Sequence, residues 1–235
     1  MDCFYQPDIR SGKQYLDEFE SRHCVRVLRK KAGDQILVLD GKGGLYTCIL
    51  KDSKPREVRF EVEKEEQWDG PEHHIHLIIA PTKKIDRMEW LIEKSVEIGI
   101  QEISFVRCMN SERPQLKIDR LQKKAISAMK QSMNLFLPRI HDIIPFQEVL
   151  THSADNVNKY ICHVRSGENN FLLNVVKKGR SYQILIGPEG DFTDKELIQA
   201  EEHGYTPVSL GENRLRTETA GLVACVLLNA LQVKN

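Results

Sequence analysis

The chain has 235 residues, with 34 Lys+Arg balanced by 34 Asp+Glu. Hydrophobic residues at 40% and charged residues at 29% describe an ordinary globular chain of one large or two small domains, able to bury a core without staples. A formal net charge of zero argues against a surface built throughout to grip nucleic acid, which normally shows a basic excess. The opening MDCFYQPDIR lacks the basic-then-apolar pattern of a secretory signal, and the apolar run Ala220 to Leu231 is too short to cross a bilayer. Six scattered cysteines with no C-x-x-C pair predict neither a disulfide framework nor a structural zinc. These features predict a reduced, cytoplasmic protein with no membrane attachment.

The first 70 residues read as β-rich. Gln35–Leu39, Leu45–Leu50 and Val58–Val62 are short, β-branched or aromatic, and partly alternating, and the turn-rich Asp40–Gly44 suits a hairpin. Several short strands in so few residues predict a small antiparallel barrel. The polar stretch Lys64–Glu72, with Gly70-Pro71, reads as a linker. From His73 the rhythm becomes strands alternating with helices. His74–Ala80 is a strand; Ile85, Met88, Leu91, Ile92 and Val96 recur at helical spacing, with Gly99 where a C-cap falls. Glu102–Val106 is a strand, Leu121–Met133 a helix, and Lys159–Val164 and Tyr182–Ile186 further strands. Thr193-x-x-Glu196 is a capping box, Pro207–Leu210 a short strand, and Thr217–Leu231 a helix so apolar on every side that it should be enclosed. The alternation predicts an α/β fold around a parallel sheet.

Two loops carry the chemistry. Ile186-Gly187-Pro188-Glu189-Gly190-Asp191 follows a strand and precedes the capped helix, where ligands of open α/β sheets bind. Its glycines let a ligand approach the main chain; a tight turn with no ligand is the plain alternative. Leu210-Gly211-Glu212-Asn213-Arg214-Leu215-Arg216-Thr217-Glu218 crowds two arginines and two glutamates before an apolar helix, which is costly unless they pair with each other or a ligand. His73-His74-x-His76 lacks the spacing of zinc motifs, and no metal is expected.

Together the two loops resemble the RsmE family, SPOUT-class methyltransferases that modify N3 of a uridine in 16S ribosomal RNA. The likeness extends to His23-x-x-Arg26-Val27-Leu28-Arg29 with Gly33-Asp34, similar to the family's PUA-like barrel, and to Thr82-Lys83-Lys84, Glu93-Lys94, Glu97-x-Gly99, Gln131-Ser132 and Pro138. Departures are Asp191 where many members have glycine, Met133-Asn134 where an arginine is usual, and Ser127 where a glutamate is expected. The resemblance implies a PUA-like RNA-binding barrel over residues 1–70 and a SPOUT methyltransferase domain over residues 71–235, with a C-terminal trefoil knot. It implies a homodimer acting on 16S rRNA within the assembled 30S subunit, using S-adenosylmethionine and no metal. Cofactor contacts then fall on Ile186, Gly187, Glu189, Gly190, Leu210, Gly211, Leu215 and Arg216. Methyl transfer to N3 needs its proton removed, so Arg216 is expected to stabilise the uridinate, with Glu189 or Glu218 as proton acceptor. His23, Arg26, Arg29, Lys30, Lys84, Arg113, Lys117 and Arg120 are the expected RNA contacts. The alternatives are a SPOUT enzyme for another RNA position, or a non-catalytic RNA-binding protein, which would need neither loop.

The zero balance hides an asymmetry. Residues 107–141 carry a net charge of +6 and residues 187–235 one of −4. Fields act over about a Debye length, roughly 8 Å in physiological salt, so the local charge decides whether phosphate is attracted. The basic surface is therefore expected on Arg22–Lys31 and the middle helix.

Overall fold

A computed structural model describes residues 2–112, 115–151, 156–163, 170–176 and 180–232. The chain forms two compact units: residues 1–70 with 126–137, and residues 71–125 with 138–235.

The first unit contains β1 (Cys3–Tyr5), a 3-10 turn at Ile9–Ser11, α1 (Glu18–Arg22) and a π-helical turn at His23–Val27. Strands β2 (Gln35–Leu39), β3 (Gly44–Leu50) and β4 (Phe60–Gln67) follow. Strict alternation along β3 turns Tyr46, Cys48 and Leu50 inward against Phe4, Ile36, Val38 and Phe60. The sheet runs β1-β2-β3-β4 and is not wholly antiparallel, because β1 lies parallel to β2. Three residues are too few to leave a periodic trace, which hid β1 from the sequence. The expected linker is shorter than Lys64–Glu72. Lys64 to Gln67 continue β4, pairing with Thr47 to Gly44, since ladder hydrogen bonds come from the backbone whatever the side chains. Asp40 is fully buried and accepts from the N–H groups of Lys42 (2.7 Å) and Gly44 (2.8 Å), while pairing with Arg10 at 2.6 Å. That carboxylate holds the β2–β3 turn. Buried Glu20 pairs with Lys130 from the 126–137 segment.

From β5 on, strands and helices alternate as the sequence predicts: β5 (Ile75–Ile79), α2 (Ile85–Ile98), β6 (Glu102–Arg107), α3 (Ile118–Ser132, of which residues 126–132 belong to the first unit), β7 (Arg139–Pro145), α4 (Phe146–Thr151), β8 (Val157–Cys162), α5 (Leu172–Val175), β9 (Ser181–Ile186), α6 (Asp194–Glu202), β10 (Tyr205–Val208) and α7 (Thr217–Ala230). Six parallel strands lie in the order β10-β8-β9-β5-β6-β7. Phe146, Val149 and Leu150 of α4 and Ala200 of α6 pack on Ile78, Val106, Ile161 and Leu185. On α7, Gly221 lies so close to Ile79 and Leu91 that a Cβ there would sit 2.8 Å from Ile79. Gly99 ends α2 in the left-handed conformation (φ 94°), and Thr193 with Glu196 closes the expected capping box.

Some expectations shift. Strand β7 and helix α4 were not read, because an edge strand exposed along much of its length has no hydrophobic rhythm. Strand β10 starts at Tyr205, earlier than Pro207, since left-handed Gly204 (φ 83°) leads α6 straight into it. Val164, the last residue of the expected β8, lies outside the described residues. Helix α7 is not fully enclosed: Ala224, Cys225 and Leu228 are buried, but Val226 is exposed. All six cysteines are free, and burial pushes up every thiol, that of Cys24 to about 11 and that of Cys225 to about 12.

Strand register also assembles a cluster that the sequence kept apart. His76 pairs across β5–β6 with Glu102, and Glu102 across β6–β7 with Arg139. The Glu102 carboxylate thus meets His74 (3.1 Å), His141 (2.8 Å) and Arg139 (2.7 Å), and His76 bonds Ser104 at 2.7 Å. Among the described residues, no group of His, Cys, Asp and Glu is arranged to hold a metal ion. Burial would raise Glu102, but the hydrogen bond from His74 and the charges of His76, Arg139 and His141 hold it at about 2. Burial takes His76 down to about 4, against the pull of Glu102. A histidine depressed in the folded state is protonated first in the unfolded chain, so its contribution is lost as pH falls from about 6.5 toward 4. Depressed Glu102 adds a further loss as pH falls from about 4.5 toward 2. Thermal melting should therefore show stability falling by on the order of 2 kcal/mol between pH 7 and 5, and His76→Gln should flatten that decline.

Candidate functional site

The sheet changes direction at β8. From β8 the chain steps to β9 on one side, then crosses back to lay β10 on the other. Loops leaving the carboxyl ends of β9 and β10 must diverge on either side of β8, and a crevice opens between them. The structure has a cavity of about 380 Å³ at this point, walled by residues 186–189 and Asp191, residues 208–211 and 213–217, and Arg87, Cys162, His163 and Ala220.

The 186–191 loop is fixed by close packing. A Cβ on Gly187 would lie 3.0 Å from the ring of Phe192, which is itself buried against Phe146 (centroids 5.8 Å apart). Asp191 closes a turn onto the Pro188 carbonyl (2.9 Å) with φ of 63°, a left-handed conformation that favours glycine. It is tolerated because its own carboxylate accepts from the Phe192 N–H at 2.8 Å and lies 3.5 Å from His163. Asn110 donates to the carbonyls of Gly190 (3.3 Å) and Asp191 (3.0 Å).

The second loop is tied to the first by Arg214, which donates to the Glu189 carbonyl at 3.0 Å. Glu189 accepts from the Lys83 N–H at 3.3 Å through one oxygen; its other oxygen is buried without a hydrogen-bond partner. Glu218, in the first turn of α7, pairs with Arg87 of α2 at 3.4 Å, and its second oxygen is likewise buried and unpaired. Arg216 caps α7 with extended backbone; its exposed side chain has no hydrogen bond or ion pair among the described residues and lines the cavity.

Of the residues expected at a cofactor, Ile186, Gly187, Glu189, Leu210, Gly211, Leu215 and Arg216 line the cavity, whereas Gly190 faces Asn110 outside it. Glu218 stands behind the wall, and neither glutamate is salt-bridged to Arg214 or Arg216. Sequence reasoning missed Arg87, Asn110 and His163, which come from α2, the loop after β6 and the end of β8 and carry no local motif.

The expected RNA contacts divide between the units. In the first, Arg26 and Arg29 are exposed; His23 packs edge-on to Phe4, and Lys30 pairs with Asp2 at 2.9 Å. In the second, Lys84 is exposed at the start of α2, and Lys117 and Arg120 line a depression with Lys83 and Glu112. Arg120 is paired with Glu89, and Lys124 with Glu93, so part of the middle helix's charge is neutralised in place. Arg113 lies outside the described residues.

A parallel α/β sheet with a cavity at its switch point, walled by glycine loops and arginines, defines a small-ligand-binding α/β domain. The family model for the RNA methyltransferase domain matches residues 70–229, and that for the RNA methyltransferase PUA domain matches residues 16–63. The chain belongs to the RNA methyltransferase family, with an N-terminal PUA-like domain before the α/β domain. It is 28% identical to ribosomal RNA small subunit methyltransferase E of Bacillus subtilis, over 87% of this chain and 85% of that one. Among solved structures, a probable rRNA-methyltransferase from Porphyromonas gingivalis is 40% identical with a TM-score of 0.91, covering 99% of this chain and 98% of the other. Ribosomal RNA small subunit methyltransferase E from Neisseria gonorrhoeae, bound to S-adenosylmethionine, is 31% identical with a TM-score of 0.87 over 99% and 98% of the two chains.

The contact beneath Gly187 makes one residue decisive. Gly187→Ala should lower stability by about 1–3 kcal/mol in thermal melting, because the Phe192 ring is held by Phe146 and cannot yield.

Proposed function

We propose that this chain transfers a methyl group from S-adenosylmethionine to N3 of one uridine in 16S ribosomal RNA. The observation that carries the reading is the switch-point cavity, lined both by Glu189 and by Arg216, whose cation is unpaired among the described residues. The residues present fit the cofactor. Ile186, Val208, Leu210 and Leu215 offer an apolar bed for a flat base, and Arg214 can meet a carboxylate. Asp191 offers a carboxylate to an ammonium or sulfonium. Gly187 and Gly211 (φ 132°) leave main-chain groups open to close approach. Bound there, S-adenosylmethionine supplies an electrophilic methyl on a good leaving group.

The chain's own work is on the uracil. N3–H is a weak acid, and its nitrogen is a poor nucleophile until the proton leaves. Arg216, held at the cap of α7, places a fixed cation where negative charge develops on a uracil oxygen, which favours the anion. Glu189 is the better proton acceptor of the two glutamates, because it lines the cavity, whereas Glu218 lies outside the lining and is committed to Arg87. Glu218 with Arg87 instead joins α7 to α2 and so holds Arg216 in place.

The same reading assigns RNA binding to residues 1–70 through Arg26 and Arg29, and the chemistry to residues 71–235 with a C-terminal trefoil knot. The β8-to-β9-to-β10 crossing supports a knot there. We infer further a homodimer, supported by exposed Val226 and Leu173 on α7 and α5, acting in the cytoplasm on the assembled 30S subunit. No helix among the described residues is long and apolar enough to cross a membrane.

Mass spectrometry of 16S rRNA from cells lacking the protein should show loss of one methyl at a uridine N3. Loss at another position would instead favour a different RNA target, and no loss a binding protein. Arg216→Ala should keep the melting temperature and bind S-adenosylmethionine within a few-fold of wild type by calorimetry, while turnover falls about 10²–10³-fold. Glu189→Gln should lose more turnover than Glu218→Gln at equal cofactor affinity, with Glu218→Gln the less stable of the two.

A further inference from the structure

We propose that Phe19 is a stacking platform for an unpaired RNA base, so that the first unit grips single-stranded rather than duplex RNA. This rests on the proposed RNA substrate and names the form in which the first unit takes it.

Phe19 is 74% exposed, although it sits on a short helix whose inner side, Glu20 and Ser21, is buried and continues to buried Cys24. The ring is therefore on the outer stripe by helical geometry, and it does not belong to the core. Phe19 and Arg22 stand at i and i+3 on α1, roughly 5 Å apart along the axis, and Arg26 follows in the π-helical turn His23–Val27. Val27, 64% exposed, adds apolar surface. Arg22 is paired with Glu18, but Arg26 and Arg29 have no hydrogen bond or ion pair from their side chains among the described residues. The π-helical turn His23–Val27, closed by the Leu28 N–H on the His23 carbonyl at 3.0 Å, leads to Arg29 with φ of 55°. Left-handed backbone there favours glycine, yet an arginine occupies it and extends a cation from the end of the same helix.

One exposed ring with unpaired guanidinium groups beyond it matches one nucleotide: the base on the ring, the neighbouring phosphates on the cations. A base in a duplex has both faces covered by its neighbours, and the deep, narrow major groove of A-form RNA excludes side chains. Only an unpaired base presents a face to Phe19. A second copy of this chain is a poor occupant, since a two-fold contact would set Arg22, Arg26 and Arg29 against their own equivalents.

The test uses the full-length protein and a 12-nucleotide single-stranded RNA carrying 2-aminopurine at its centre, alone or annealed to its complement, with binding read by fluorescence over a salt series. Phe19→Ala should weaken single-strand binding about tenfold with no change in salt slope, and leave duplex binding unchanged. Phe19→Trp should restore binding and quench the 2-aminopurine. Arg26→Ala should reduce the slope by about 0.7, as expected for one lost phosphate contact on a single strand. Melting temperature and S-adenosylmethionine affinity should not move in any of the three variants. The inference is overturned if Phe19→Ala binds the single strand like wild type, if it loses duplex binding equally, or if Trp is as poor as Ala. It is also overturned if Phe19→Ala dissociates a dimer in sedimentation. A wild-type protein that binds neither RNA would overturn the RNA-substrate reading together with the inference; tight wild-type binding with an indifferent Phe19→Ala overturns the inference alone.

Discussion

Strand β8 lies between the two strands that follow it in the chain, and the geometry of the cavity depends on that placement. In a parallel sheet every crossover must return over a face, so consecutive strands usually progress one way along the sheet. Here β10 goes to the far side of β8, and the loops after β9 and β10 are pulled apart across the end of β8. The loops after β9 and β10 are each tied to the rest of the unit or to each other. Phe192 locks the first into the core, Arg214 bonds the second to the first, and Glu218 fastens α7 to α2 through Arg87. These anchors leave Glu189 and Arg216 with unsatisfied capacity inside a fixed frame, which is the condition for acting on a ligand without reorganising first.

Charge tells a similar story at longer range. A formal balance of zero says little about RNA binding, because each unit disposes of its charges differently. In the second unit Arg120 and Lys124 are neutralised by Glu89 and Glu93, so the +6 of residues 107–141 overstates the free positive field there. In the first, Arg26 and Arg29 have no carboxylate partner although Lys30 and Arg22 do. Phosphate attraction follows these unpaired cations more closely than any sum over a window, because an ion pair leaves only a short-ranged dipole.

Most elements were legible because their signal is local. The 3.6-residue rhythm and Gly99 announce α2, and Thr193 with Glu196 announces α6. The alternating pattern of Leu45 to Leu50 marks β3. The elements that escaped had no such signal: β1 has three residues, β7 is an exposed edge, and the polar end of β4 is held by backbone alone. In the same way, the two loops were found because glycine and clustered charge are visible in a line of text. Arg87, Asn110 and His163 were not, because each matters only through a residue far along the chain.

The sequence by itself determined the α/β alternation, the two glycine-bearing loops, the capped helix after the first and Arg216 before the apolar last helix, since propensity, capping and turn chemistry act between near neighbours. Only the tertiary structure decided how the charges pair. Glu218 went to Arg87, leaving Glu189 as the glutamate that lines the cavity. His74, His76 and His141 gathered on Glu102 through strand register, and Arg26 and Arg29 stayed unpaired while Arg120 did not. The reason is physical: an ion pair or a hydrogen bond acts over a few ångströms in space, and the fold alone sets which distant residues come that close.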